Sequence, residues 1–332
     1  MNYKISIFLC FFSISLFAQT GFKKEITYNK DRKLETAIWY PSLEKENETF
    51  AQNILFYGFK SKANAQIKKG KYPLIIFVHG STGNVKNQSW LANDLAKNNI
   101  VIAANHPGYT SKNSNPESLL RVWNQPKDVS YLIDYALESE FKNYIDENKI
   151  YVLGFSLGGY TSLALSGAKL DMSKYEEFCK KYEDEACKYF KEAFSIINNQ
   201  YLKNASQDLK DKRVKASIAL APGFVQNMTN ESLRKIDIPT LIIGAQLDYS
   251  VPVETAIKSK MQHFSKTIKY YEIKDAGHFS FLQRCTNKAP FILEEENAQF
   301  ICLDGKKKKR ETIHQETTKL VKSFLKEVNN LK

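Results

Sequence analysis

The chain has 332 residues, 43% of them hydrophobic, and a formal net charge of +12. Length and composition exclude a disordered or fibrous protein and fit one large α/β domain with insertions. The basic balance suggests affinity for anionic surfaces such as a membrane, and no Cys/His spacing in the chain matches a zinc site.

Taken from the N-terminus, Lys4 is the only charged side chain before Lys23, and residues 5–17 are almost wholly apolar. Ala18 follows as a small residue. This pattern predicts a secretory signal peptide over 1–18, too short for a membrane span, with cleavage near Ala18/Gln19. The mature chain is then one α/β domain over 19–332, secreted or periplasmic. Without Cys10, four cysteines remain, Cys179, Cys187, Cys285 and Cys302, and an oxidising compartment permits two bridges. Local pairing is expected. Cys179 and Cys187 would lie about 12 Å apart along one unbroken helix, too far to bond. A bond there requires a helix break near Glu183-Asp184.

Strands are predicted at 34–40, 74–79, 100–105, 150–155, 216–221, 240–245 and 268–273. Helices are predicted at 89–98, 126–139, 158–166, 253–264 and 311–331. The alternation implies a mostly parallel, doubly wound sheet. Several strands are continuous apolar runs, as in a sheet covered on both faces. Two stretches interrupt the pattern. Residues 44–71 are polar and show no clear element beyond 54–59. Residues 168–212 are charged, aromatic and helical in character, and enter just after the 158–166 helix, where an insertion can form a cap. The run Lys306 to Arg310 reads as a solvated loop, not a nucleic-acid patch.

The chemistry centres on Gly154-Phe155-Ser156-Leu157-Gly158. A buried strand, a sharp turn carrying one serine and a helix opening on small residues form the nucleophile elbow G-x-S-x-G. A serine hydroxyl needs a base, and the base needs an acid that fixes its tautomer. In this arrangement the order is serine, acid, histidine. His278 follows the 268–273 strand, whereas His263 and His314 fall within or beside predicted helices. Asp248 follows the 240–245 strand and is the expected acid; Asp275 is the competitor on the histidine's own loop. The N–H of Leu157 and the N–H of Ser81 are the expected oxyanion donors, the latter because Gly80 lets the backbone bend toward the site. His79 is expected to hold that loop, and His106 either to order its own loop or to line a pocket.

These residues carry a family resemblance. Ile38-Trp39-Tyr40-Pro41, Lys71 to Gly80, Asn105-His106-Pro107-Gly108, Gly154 to Gly159 and Asp275-Ala276-Gly277-His278-Phe279 together resemble the secreted α/β-hydrolases of the dienelactone-hydrolase-like and platelet-activating-factor-acetylhydrolase-like group. The resemblance implies an α/β-hydrolase fold and a Ser-Asp-His ester hydrolase with no metal or organic cofactor. The serine nucleophile departs from true dienelactone hydrolases, which use cysteine. The expected substrate is a small-molecule or lipid ester. A peptidase on the same scaffold and a non-catalytic surface-binding homologue remain as alternatives.

Overall fold

The computed structural model describes residues 19–330, so the expected signal peptide lies outside the described residues. The strands are β1 (Gln19–Asn29), β2 (Arg32–Ser42), β3 (Glu48–Phe50), β4 (Phe59–Ala63), β5 (Tyr72–Val78), β6 (Thr82–Gly83), β7 (Ile100–Asn105), β8 (Ile145–Phe155), β9 (Val214–Leu220), β10 (Thr240–Ala245) and β11 (Ile268–Ile273). All but the two-residue β6 join one 10-stranded sheet in the order β11-β10-β9-β8-β5-β7-β2-β1-β4-β3. From β11 to β7 the strands run parallel; β2 is antiparallel to β7 and pairs with β1 as a hairpin.

The helices are α1 (Ser89–Leu95), α2 (Pro116–Leu120), α3 (Asn124–Glu138), α4 (Leu157–Leu165), α5 (Tyr175–Tyr182), α6 (Glu185–Phe190), α7 (Asn199–Ala205), α8 (Asn230–Arg234), α9 (Ala289–Glu295) and α10 (Arg310–Asn330). Side chains alternate between the sheet faces as the two-residue period requires. Ile75, Phe77, Val101 and Leu153 share a core with Leu91 and Leu95 of α1 and with Val321 and Phe324 of α10. Leu74, Ile76, Ile102 and Val152 pack with Val129, Leu132 and Ile133 of α3. Helix α4 is buried along its whole length, which explains why its sequence is apolar and small all round. None of the helices among the described residues is long and apolar enough to cross a membrane.

Three expectations need correction. Strand β1, between β2 and β4, escapes a search for apolar runs because Lys23, Lys24 and Glu25 interrupt it, and its Ile26 and Tyr28 lie exposed. The 44–71 stretch holds β3 and β4, not an element over 54–59. In β4 only Phe59 and Ser61 turn inward, between exposed or half-exposed lysines, so its one buried hydrophobe gives little signal. Phe59 packs there against Phe22, Trp39 and Phe50. The predicted 253–264 helix is a run of turns ending in a 3-10 segment, Lys258–His263. The Lys258 N–H turns back to Val253 O, and Lys260 Nζ is drawn to Met228 O at 2.8 Å.

The insertion after α4 contains α5, α6 and α7. Its entry and exit meet where Asp211 N–H donates to Leu165 O at 3.1 Å. Helix α5 stops at Tyr182, Glu183 turns left-handed (φ 46°), and Asp184 accepts the Cys187 N–H to start α6. That break brings the Cys179 and Cys187 Cα atoms to 5.2 Å, and the two are disulfide-bonded. Cys285 and Cys302 form the second bond.

Candidate active site

Strand β8 pairs with β5 and β9 in a register that sets Gly154 beside Val78 and Phe155 beside Leu220. The carboxyl ends of these strands therefore open into one crevice, where ligands of such sheets bind. Ser156 sits in that crevice with φ 55° and ψ −116°, a conformation few non-glycine residues adopt. Neighbouring backbone holds it there. Ser156 N–H donates to Leu220 O at 2.9 Å, and Ser156 O accepts from Gly223 N–H at 3.0 Å. The flanking glycines are steric necessities. A Cβ on Gly154 would lie 1.9 Å from Gly158 O, and one on Gly158 would lie 2.1 Å from Val78 O.

His278 Nε2 lies 3.0 Å from Ser156 Oγ, and its Nδ1 lies 2.7 Å from Asp248 Oδ2. An ionised carboxylate only accepts, so Nδ1 carries the hydrogen and the Nε2 lone pair faces the serine hydroxyl. Asp248 is buried, and its Oδ1 accepts the Val251 N–H at 2.7 Å. The arrangement is a line along which a serine proton can move to imidazole while carboxylate stabilises the imidazolium. Asp275 does other work. Its carboxylate accepts the backbone N–H groups of Lys306, Lys307 and Lys308, which shapes the lysine run into a turn. Burial pushes the Asp275 carboxyl up, but those three donors outweigh it and hold it below its usual value.

The N–H groups of Leu157 and Ser81 meet no acceptor among the described residues. Leu157 opens α4, where the helix dipole favours negative charge. Gly80 lies against the serine: a Cβ on it would be 2.9 Å from Ser156 Cβ. His79 and His106 are both buried. His79 Nδ1 donates to Gly80 O at 2.7 Å, and His106 Nδ1 bonds to Asp128 Oδ2 at 3.0 Å. His106 is thus tied to the α3 carboxylate of Asp128.

The sequence did not mark the residues that support His278, and Arg310, expected in a solvated loop with the lysine run, is instead buried at the start of α10. Buried Arg310 pairs with Asp304 and donates to Gln283 O and Ile301 O. Asp304 Oδ1 accepts from Ser280 Oγ at 2.6 Å, on the His278 loop. His314 Nε2 donates to Leu282 O at 2.9 Å, and Trp90 stacks on its ring at 3.6 Å. Burial first, then Arg310, push the His314 imidazole down to about 3, so it is neutral. The insertion borders the crevice. Tyr175 and Phe190 pack on Phe224, the residue after Gly223. Burial and then the charge of Asp248 push the Asp184 carboxyl up, against the Cys187 N–H that holds it down. Most insertion aromatics are packing residues; Tyr201 donates its hydroxyl to Leu120 O, while Tyr182 and Tyr189 are exposed.

A mostly parallel sheet with a serine on a strained strand-to-helix turn defines an α/β-hydrolase fold. A ferulic acid esterase from Streptomyces cinnamoneus shares that fold at a TM-score of 0.62 and 16% identity, over 94% of this chain and 90% of that one. The BD-FAE family model matches residues 63–262, and the chain belongs to the BD-FAE family. It is 28% identical over 219 residues to the cutinase est1 of Thermobifida alba, covering 65% of this chain and 56% of that protein. It is 25% identical over 211 residues to cutinase 2 of Thermobifida cellulosilytica, covering 63% and 61%. The chain therefore spans little more than half the length of these curated relatives.

Proposed function

We propose that this protein is an exported serine hydrolase that cleaves carboxylic esters. The observation that carries the reading is the Ser156–His278–Asp248 line, with two unengaged N–H groups, of Leu157 and Ser81, beside the nucleophile. Ser156 Oγ attacks the ester carbonyl carbon while His278 Nε2 takes its proton. The carbonyl oxygen becomes an oxyanion held by the Leu157 and Ser81 N–H groups. The C–O bond to the leaving alcohol then breaks, and the imidazolium returns its proton to that oxygen. A water, deprotonated by His278, then attacks the acyl carbon; the bond to Ser156 Oγ breaks, the imidazolium returns its proton to Oγ, and the acid is released. Asp248 holds the imidazole in the required tautomer throughout. Membership of the BD-FAE family and similarity to proteins named cutinase and ferulic acid esterase favour an ester over an amide.

The resemblance to platelet-activating-factor-acetylhydrolase-like enzymes favours a short-acyl or phospholipid-type ester. Two disulfides support an oxidising compartment. Residues 168–212 act as a cap that shapes the acyl pocket. Ser156→Ala should abolish p-nitrophenyl acetate turnover and fluorophosphonate labelling. Retained turnover would sink the assignment, and faster cleavage of peptidyl anilides than of esters would redirect it to a peptidase.

A further inference from the structure

We infer that the buried chain Arg32–Asp128–His106–His79 is a positioning device for the Gly80–Ser81 peptide, which presents the second oxyanion donor. This rests on the ester-hydrolase reading and deepens it. A peptide bond is planar and trans, so the Gly80 carbonyl and the Ser81 N–H lie in one plane and point opposite ways. Fixing the oxygen aims the N–H. Gly80 O accepts two donors, His79 Nδ1–H at 2.7 Å and Gly83 N–H at 3.1 Å. The Ser81 N–H has no protein acceptor among the described residues, and the peptide lies against Ser156.

His79 can act this way in only one tautomer. Its Nε2 accepts the His106 backbone N–H at 3.2 Å, so the ring hydrogen is confined to Nδ1. Burial, with His106 close by, pushes the His79 imidazole down to about 3 and keeps it neutral. The His106 N–H is itself held in place. Asp128 Oδ2 accepts from His106 Nδ1, and Arg32 grips both Asp128 oxygens, Nε to Oδ1 at 2.7 Å and Nη2 to Oδ2 at 2.6 Å. Arg32 Nη2 also donates to Pro107 O at 3.1 Å, one residue after His106. On the other side Gln125 Nε2 donates to His79 O, and Thr161 of α4 donates to Gln125 Oε1. The donor loop is therefore tied to the elbow helix as well as to β2.

Filling space does not account for this network. Buried ion pairs are weak contributors to stability, and apolar side chains of the same size would fill the volume without needing partners. What apolar side chains cannot do is point a peptide oxygen. Aiming it also polarises the same amide, which strengthens the opposite N–H as a donor.

The test compares His79→Leu, which leaves Gly80 O without its ring donor, with His79→Asn, whose amide N–H can take the Nδ1 position. Turnover of p-nitrophenyl acetate, the affinity of a boronic acid that mimics the tetrahedral intermediate, and fluorophosphonate labelling are measured in the full chain. His79→Leu should lose about 10²-fold in kcat with KM within about threefold, since an oxyanion donor acts only on the transition state. Boronate affinity should fall in parallel, and His79→Asn should recover much of both. Equal kcat in His79→Leu and wild type overturns the inference, as does a His79→Asn variant no better than His79→Leu. Should His79→Leu not fold, Arg32→Met at the outer end of the chain should lower kcat at unchanged KM; an unchanged kcat overturns the inference. A wild-type protein that does not label refutes the hydrolase reading itself, whereas a labelled wild type with an unimpaired His79→Leu refutes only the positioning role.

Discussion

Replacing Asp248 by Asn changes one oxygen to an NH2 group and tests the proposed role of the acid. Both carboxylate oxygens are in use: Oδ2 accepts from His278 Nδ1 and Oδ1 from Val251 N–H, each at 2.7 Å. An amide has one acceptor. If its oxygen faces His278, the NH2 opposes the Val251 N–H and leaves a buried donor unsatisfied, at a cost of about 1–3 kcal/mol. If its oxygen faces Val251, the NH2 donates to His278 Nδ1, and the ring hydrogen must move to Nε2. Nε2–H then faces Ser156 Oγ and cannot take its proton. The second state satisfies every buried group and should dominate. The expected loss is about 10⁴-fold in kcat, or about 5 kcal/mol of barrier, with KM little changed because Asp248 does not reach the ester. Steady-state turnover of p-nitrophenyl acetate measures it. Asp275→Asn is the control and should stay within about threefold of wild type, since its carboxylate bonds only loop backbone. A loss under about tenfold in Asp248→Asn, or an equal loss in Asp275→Asn, would refute the reasoning.

Stability should fall in acid. His79 and His314, each pushed down to about 3, stay neutral when folded, while an unfolded histidine takes up a proton near 6.5. Between those values the unfolded chain binds more protons, so stability is fully present above pH 6.5 and drains as pH falls toward 3, by about 1.4 kcal/mol per pH unit for each histidine. Urea midpoints at pH 7 and pH 5 measure this, and a midpoint indifferent to that change refutes the neutral assignment. Cys302→Ser should cost about 3 kcal/mol, the loop-closure value for a separation of 17 residues. Because Phe300 in that loop packs on Phe279 at 5.2 Å, beside His278, kcat should drop several-fold as well. A Tm that does not move on reduction rules out a stabilising bond.

The parallel strands were legible because residues buried on both faces leave nothing but apolar runs, as in Thr240–Ala245 and Ile100–Asn105. The serine and aspartate were legible because each follows such a run at the sheet's carboxyl edge, and the histidine because it follows the alternating edge strand β11. The break between Cys179 and Cys187 could be located because helix rise forbids the bond without one. What sequence hides is what other elements supply. Arg310 and His314 lie on an amphipathic helix and look like surface residues until α10 folds onto the His278 loop. Asp128 reads as one more helical carboxylate until Arg32, 96 residues earlier, closes on it. Short strands near the sheet's edge, such as β4, bury too few side chains to announce themselves.

The single hydrogen bond between Asp211 N–H and Leu165 O has a consequence for how this chain can vary. Because the insertion leaves and re-enters the sheet domain at neighbouring points, the closure cost of its loop depends only weakly on its length. The segment between them is internally clasped by the Cys179–Cys187 bond and rests on the sheet domain through Tyr201 on Leu120 O and through Tyr175 and Phe190 on Phe224. Segments of other sizes and aromatic content can be exchanged there without altering the strand register on which Ser156, Asp248 and His278 depend. The stretch that borders the crevice and the strands that hold Ser156, Asp248 and His278 are thereby separate parts of the chain.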